Sequence, residues 1–213
     1  GITMSKDRRI QLMTLCQKEQ LPIIEDDVYR ELWLDAPPPP PLKTLDKSGL
    51  VLYIGSFSKW LCPGLRIGWI AGPEPVINRL ADVKMQYDYG ASSLSQQAAA
   101  EWLSKGLLHS HLEQLRHGLR LRRDKALQLL SCYFSHLAQW NVPSGGFYIW
   151  LKLHRPAATE KLFKEALHHK LLLHPGLLYE PLDDTHLRLS YAFLPLESMD
   201  QAFLTLSQLI DQQ

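Results

Sequence analysis

The stretch that decides the fold is Gly55-Ser56-Phe57-Ser58-Lys59-Trp60-Leu61-Cys62-Pro63-Gly64-Leu65-Arg66-Ile67-Gly68-Trp69. Lys59 stands beside Ser58, close after Ser56 and seven residues ahead of Arg66, in a run otherwise built from glycine, proline and apolar residues. A solvated lysine needs none of this company. Buried lysines are rare and costly, and where they occur they have a chemical use. Just upstream, Leu50 to Ile54 reads as a strand, so Ser56 to Lys59 fall past its carboxyl end. Ligands collect at that end in open α/β sheets.

Two hydroxyls and a planar guanidinium converging on one place suit a phosphate, which they bind by donated and bidentate hydrogen bonds. Pro63 fixes the turn between them, and Gly64 is expected to let the backbone approach closely. A lysine beside a bound phosphate is available for another task, and a Schiff base with an aldehyde cofactor is the obvious one. Pyridoxal 5'-phosphate makes a further demand, a carboxylate that keeps its ring nitrogen protonated. The preceding apolar run, Leu21 to Asp27, ends in acids and is followed by Tyr29, whose hydroxyl is placed to reach a ring oxygen. Side chains alternate along a strand, so Ile24 and Asp26 share a face, which favours Asp26 over Asp27. Each of these residues also has a plain structural reading: serine–lysine pairs are common in loops, acids cap helices, and Arg66 could be an ion-pair partner. Two successive strand ends, the first carrying carboxylates and the second the lysine and phosphate set, favour a site.

The remainder of the chain supports an α/β reading. Ser5 caps a predicted amphipathic helix with Ile10, Leu12, Met13 and Cys16 inward, stopped by Pro22. The five prolines at 37–41 form an extended loop. Arg66 to Gly72 is a third strand, and helices follow over about 74–87, 95–105 and 107–134. Strand–helix alternation with buried strands defines that part. After Pro143 the pattern changes to an aromatic strand over 145–153, a helix over 160–169, strands or loops around 171–179 and 185–193, and a closing helix from Pro195. This second part reads as a small α+β domain joined through the long helix.

The formal net charge is +1, from 23 basic and 22 acidic residues, which gives no field for nucleic acid or membrane. Three widely spaced cysteines, Cys16, Cys62 and Cys132, suggest a reducing compartment without a disulfide framework. No apolar run approaches a membrane span, the start GITMSKDRR has no signal-peptide core, and cytoplasm is the expected location. Cys62 is expected to be a small buried apolar residue. Arg116, Arg120, Arg123 and Lys125 are expected on the solvated face of a long helix. His109 and His111, two apart on a helix, point to different faces and make a poor metal pair.

SFSKWLCPGLRIGW resembles the cofactor-lysine signature of class I/II aminotransferases, pyridoxal-phosphate enzymes of fold type I. EDDVY, SFSK, PGLRIGW, PSGGFYIW and LRLSYAF follow that family's order along essentially the whole chain. The resemblance implies that Lys59 holds the cofactor covalently and moves the substrate's proton. It implies that Asp26 pairs with the ring nitrogen, Tyr29 with the ring oxygen, and Ser56, Ser58 and Arg66 with the phosphate. Arg188, in HLRLSYAF, matches the arginine that binds an amino acid's α-carboxylate. Independently, an arginine between Leu187 and Leu189 on a strand must find an anion.

The family's chains are much longer than this one, and GITMS resembles what directly follows an asparagine–proline–threonine turn. The resemblance therefore implies a C-terminal half: residues 1–105 as part of the large cofactor-binding domain, and 106–213 as the connecting helix with the small domain. The strand near 23–26 would then lack a neighbour, leaving an open edge. IIEDDVYRELW and KMQYDYGASSLSQQAAAEWL resemble the aminotransferase-like domains of MocR-type regulators, which carry a GntR-like winged helix upstream. That implies an effector-sensing domain, a homodimer in the full-length protein, an amino compound as ligand, and DNA contact only through another domain. A free-standing aminotransferase acting on amino acids and 2-oxo acids is the alternative, and the isolated chain is expected to lack turnover.

Overall fold

In the computed structural model, which describes residues 1–213, the first helix, α1 (Lys6–Lys18), opens at Ser5, whose hydroxyl accepts the Arg8 N–H at 3.4 Å. Met13 and Cys16 face inward as expected, but Ile10 is exposed and Arg9 is buried in its place. The reason lies in the following strand, β1 (Ile23–Asp26). Its buried residue is Glu25, which pairs with Arg9 at 3.1 Å and accepts the backbone N–H groups of Leu42 and Lys43 at 2.7 and 2.9 Å. A buried charge is tolerable only when paired and hydrogen-bonded in this way. Arg9 also donates to the Pro40 carbonyl and Arg30 to the Pro39 carbonyl. The proline run thus supplies acceptors to two arginines, because prolines have carbonyls but no N–H groups.

β1 pairs in parallel with β2 (Val51–Ser56), which pairs antiparallel with β3 (Gly68–Ala71). The three-stranded order β1-β2-β3 leaves an edge on each side. Met13, Leu42 and Val51 form a core cluster, with Leu12 and Ile23 against it. The expectation of buried strands fails for β3, whose four residues are all exposed. Helix α2 (Glu74–Tyr87) follows with no buried residue, then α3 (Ser93–Ser104) and the long α4 (Leu107–Tyr133). Pattern alone located these elements, but burial of β3 and α2 needs partners that a local pattern cannot supply.

The chain divides into two units, Thr3–Arg116 and Gly1–Ile2 with His117–Gln213, and the division falls within α4. The second unit holds a four-stranded antiparallel sheet ordered β4-β5-β7-β6. Its strands are β4 (Ala138–Trp140), β5 (Tyr148–Leu153), β6 (His174–Pro175) and β7 (His186–Ser190), with α5 (Thr159–His168) between β5 and β6 and α6 (Leu196–Asp211) closing the chain. β4 was not foreseen: three residues are too few to show a period. Ile149, Leu151, Leu153, Leu187 and Leu189 are buried on alternate positions, leaving Tyr148, Trp150, His186 and Arg188 on the other face. Met199, Phe203 and Leu206 of α6 are buried, and Phe203 meets Phe134 edge-on at 6.1 Å. No helix is long and apolar enough to cross a membrane.

Of the basic residues expected on the solvated face of α4, Arg120 is exposed, but Arg116 and Arg123 are buried. Arg116 is buried over Trp33, 4.0 Å from its ring centroid, and binds the Glu31 carboxylate at 2.7 Å. Arg123 is buried and donates to the Pro143 carbonyl at 3.1 Å. Guanidinium groups with planar, multiple donors are suited to such capping of loop carbonyls.

Candidate functional site

β1 and β2 run side by side, with Asp26 opposite Ile54, so their carboxyl ends lie together. Past the end of β2 the chain turns back, and Phe57 accepts the N–H groups of Leu61 and Cys62 at its carbonyl. Lys59 sits on this turn. Ser58 N–H donates to Ser56 Oγ at 3.1 Å, the two hydroxyl oxygens are 3.0 Å apart, and Ser56 Oγ donates to the Ile67 carbonyl at 3.0 Å. The serines therefore form one polar cluster at the start of the lysine turn. Lys59 Nζ lies 5.5 Å from the centroid of the Tyr29 ring. Lys59 is exposed, which differs from the burial its company suggests.

The aromatic neighbours hold this turn. Phe57 and Trp60 are buried, 4.9 Å apart and edge-on, and Phe57 lies 5.0 Å from Trp69. Gly55 is required here, since a Cβ on it would fall 2.3 Å from the Trp69 indole. Gly64, by contrast, has room for a Cβ, whose nearest neighbour would be Cys62 Sγ at 3.7 Å. The unusual backbone falls on Arg66 instead, with φ 55° and ψ 37°. A non-glycine residue there is uncommon and carries a modest strain. Arg66 is exposed, ahead of β3, and its Nη1 donates to the Pro63 carbonyl at 3.3 Å. Cys62 is exposed as well, not the buried residue expected.

The three acids at the end of β1 have different employments. Glu25 is the buried structural acid already described. Asp27 binds Arg30 at 3.2 Å, and burial raises its pKa despite that arginine. It also meets Tyr53, whose phenol is pushed up to about 12, first by burial and then by Asp27. Asp26 is exposed, makes no ion pair, and only accepts a long bond from Val28 N–H at 3.4 Å. Of the two candidates, Asp26 is the one left for a ligand.

Arg188 belongs to the second unit. Its guanidinium lies 4.1 Å from the Tyr148 ring centroid and 5.1 Å from that of Tyr179. Its Nε is buried and has no hydrogen-bond partner. An orphaned cationic donor of this kind calls for an anion. It borders a cavity of about 360 Å³, with Tyr148, His174, Leu189 and Phe203 among its walls. The His174 pKa is lowered, first by burial and then by Arg188. The supporting rings were not foreseen. Trp150 stacks on His186 at 5.2 Å and 14° and meets Tyr179 edge-on at 5.5 Å, while His186 Nδ1 is 2.7 Å from Asp183. The alternation of Tyr148 and Trp150 along one strand was the signal available.

The fold is the pyridoxal-phosphate-dependent fold type I, as the similarity to solved structures shows. The kynurenine aminotransferase of Pyrococcus horikoshii, solved with PMP, KYN and KYA, superposes with a TM-score of 0.94 at 29% identity, covering 100% of this chain and 53% of that one. The α-aminoadipate aminotransferase LysN of Thermus thermophilus, complexed with N-(5'-phosphopyridoxyl)-L-leucine, gives 0.89 at 28% identity over 97% and 54%. Aminotransferase class I and II sequences match residues 1–206 as a family, and the chain belongs to that family. Among curated relatives, the uncharacterized HTH-type transcriptional regulator YdfD of Bacillus subtilis is 49% identical over 212 residues, all of this chain and 44% of the relative. The HTH-type transcriptional regulator NorG of Staphylococcus aureus is 39% identical over 203 residues, 95% of this chain and 46% of the relative. The chain thus spans less than half the length of these regulators.

Proposed function

We propose that this chain is the pyridoxal-phosphate-binding, effector-sensing domain of a MocR/GntR-type transcriptional regulator. The observation that carries the reading is the 49% identity to an HTH-type regulator across all of the chain, on a fold otherwise represented by aminotransferases. The residues present fit the cofactor: a serine pair and Arg66 near one another, an accessible lysine, a nearby tyrosine ring and an uncommitted carboxylate. Ser56, Ser58 and Arg66 would hold its phosphate, Tyr29 its ring oxygen and Asp26 its ring nitrogen. When bound, pyridoxal phosphate supplies an aldehyde for primary amines and an electron-withdrawing ring. Lys59 would present an amine to it, and Asp26 would hold a proton on the ring nitrogen. Arg188 binds the carboxylate of an amino compound. In this reading residues 1–105 are part of the large cofactor domain, 106–213 the connecting helix and small domain, the whole protein is a cytoplasmic homodimer, and DNA is met by a separate domain.

A free-standing aminotransferase is the second reading, favoured by the TM-score of 0.94 to an enzyme. Two measurements separate them: transamination across a panel of amino acids, and DNA binding by the full-length protein with and without those amino acids. Effector-dependent DNA binding with negligible turnover supports the regulator, whereas rapid turnover with no such dependence rejects it.

A further inference from the structure

His111, on α4, is not one of the cofactor-binding residues named above, yet it reaches the turn that carries Lys59. Its Nε2 lies 2.8 Å from the carbonyl oxygen of Trp60, the residue next to Lys59. A carbonyl only accepts, so Nε2 must carry the hydrogen. Trp102 of α3 meets the imidazole edge-on at 5.5 Å and 86°, fixing the plane of the ring. The Trp60 side chain is buried against Phe57, so the carbonyl that His111 binds belongs to a residue already anchored on its other side. Five residues along the same helix, Arg116 donates to the Glu31 carbonyl at 2.9 Å, just past Tyr29. One helix thus grips both loops that end the parallel strands.

We propose that His111 is a positioning residue for Lys59: its Nε2–H, bonded to the Trp60 carbonyl, holds the lysine turn in the geometry that receives the aldehyde of pyridoxal phosphate. The proposal rests on the reading of Lys59 as the cofactor lysine. Without the bond, the turn keeps its aromatic packing and the Leu61 N–H bond to the Phe57 carbonyl, but the Trp60 carbonyl loses the donor that ties the turn to α4. Lysines elsewhere in the chain, such as Lys43 and Lys84, have no connection to this bond and serve as internal standards.

The test is the concentration dependence of pyridoxal phosphate attachment at each lysine. The amine condenses with the aldehyde and loses water, borohydride delivers hydride to the resulting imine, and peptide mapping locates the stable secondary amine. His111→Leu removes the donor. His111→Gln places a carboxamide N–H at nearly the same reach. His111→Asn keeps a polar side chain that falls short of Trp60, and it replaces the leucine variant should that one not fold. The loss of one backbone-directed hydrogen bond predicts about three- to tenfold weaker attachment at Lys59 in the leucine or asparagine variant, with Lys43 and Lys84 unchanged and near wild-type behaviour in the glutamine variant. A glutamine variant as poor as the leucine one, equal loss at all lysines, or no loss at Lys59 would overturn the positioning role. No preference for Lys59 in the wild-type chain rejects the cofactor-lysine reading itself, and this proposal with it.

Discussion

At the scale of single residues, the site is a matter of which side chains are already committed. Lys59 is accessible and Asp26 makes no ion pair, whereas Glu25 and Asp27 are held by arginines. Borohydride trapping with pyridoxal phosphate is therefore expected to label Lys59 in preference to Lys43, whose Nζ is tied to Asp46 at 3.1 Å, and to Lys84, tied to Asp88 at 2.7 Å. Preferential labelling of either other lysine refutes the assignment. Asp26→Asn is expected to leave stability unchanged while altering the absorbance of bound cofactor, because its one fold contact, the long bond from Val28 N–H, is accepted equally by an asparagine oxygen. Asp27→Asn is expected to lower stability by about 1 kcal/mol through its partly buried partner Arg30. The reverse pattern would move the ring-nitrogen role to Asp27. Arg188→Leu should weaken amino-acid binding by about 2–5 kcal/mol, the cost of losing one partner of a desolvated charge pair, with cofactor labelling at Lys59 intact. Calorimetric titration with amino acids checks it.

At the scale of elements, β1 and the loop after it are held by charges rather than by apolar packing alone. Removing Glu25 strands Arg9 as an uncompensated buried charge, so Glu25→Ala is expected to cost about 3–5 kcal/mol in denaturant unfolding. Adding Arg9→Met should recover much of that loss, and an equally unstable double variant would show that the pair is not the reason. Asp46 ties the start of β2. Burial alone would raise its pKa, but the N–H groups of Val51 and Leu50, the Lys43 ammonium and the Ser48 N–H outweigh that and hold it at about 2. The folded value lies below the unfolded one, so the contribution is complete above about pH 4 and is lost as pH falls through about 2. It is worth about 1–2 kcal/mol after screening by solvent, and Asp46→Asn should remove that part of the acid dependence of stability.

At the scale of the whole molecule, unsatisfied surface dominates. β1 and β3 are the edges of their sheet, Ile24 of β1 is 69% exposed, and Trp69 and Ile70 of β3 are exposed as well. Unpaired edges with apolar side chains template further pairing. Residues 1–213 are expected to self-associate at micromolar concentration, read as a concentration-dependent sedimentation coefficient. A concentration-independent monomer refutes this. The exposure of Lys59, Asp26 and Arg66 also predicts weak, dialysable cofactor binding and negligible transamination by this chain alone. Tight stoichiometric binding with turnover would show that the exposed residues form a sufficient site.

The sequence by itself determined most of the elements, though not β4, and the candidate chemistry. Ser5 as a helix cap, the strand ending at Ser56, the span of α2, and Lys59 in its serine–arginine setting are local properties, written in residue type and spacing. Tertiary structure decided which of three adjacent acids remains available, because Glu25 and Asp27 meet Arg9 and Arg30 and Asp26 meets neither. It also decided that Arg116 and Arg123 are buried, that the strained backbone falls on Arg66 and not Gly64, and that His111 reaches Trp60. Apart from the Asp27–Arg30 pair and the turn at Arg66, which are local, these depend on contacts between residues far apart in the chain, whose energies come from burial and pairing, and spacing along the chain carries no record of them.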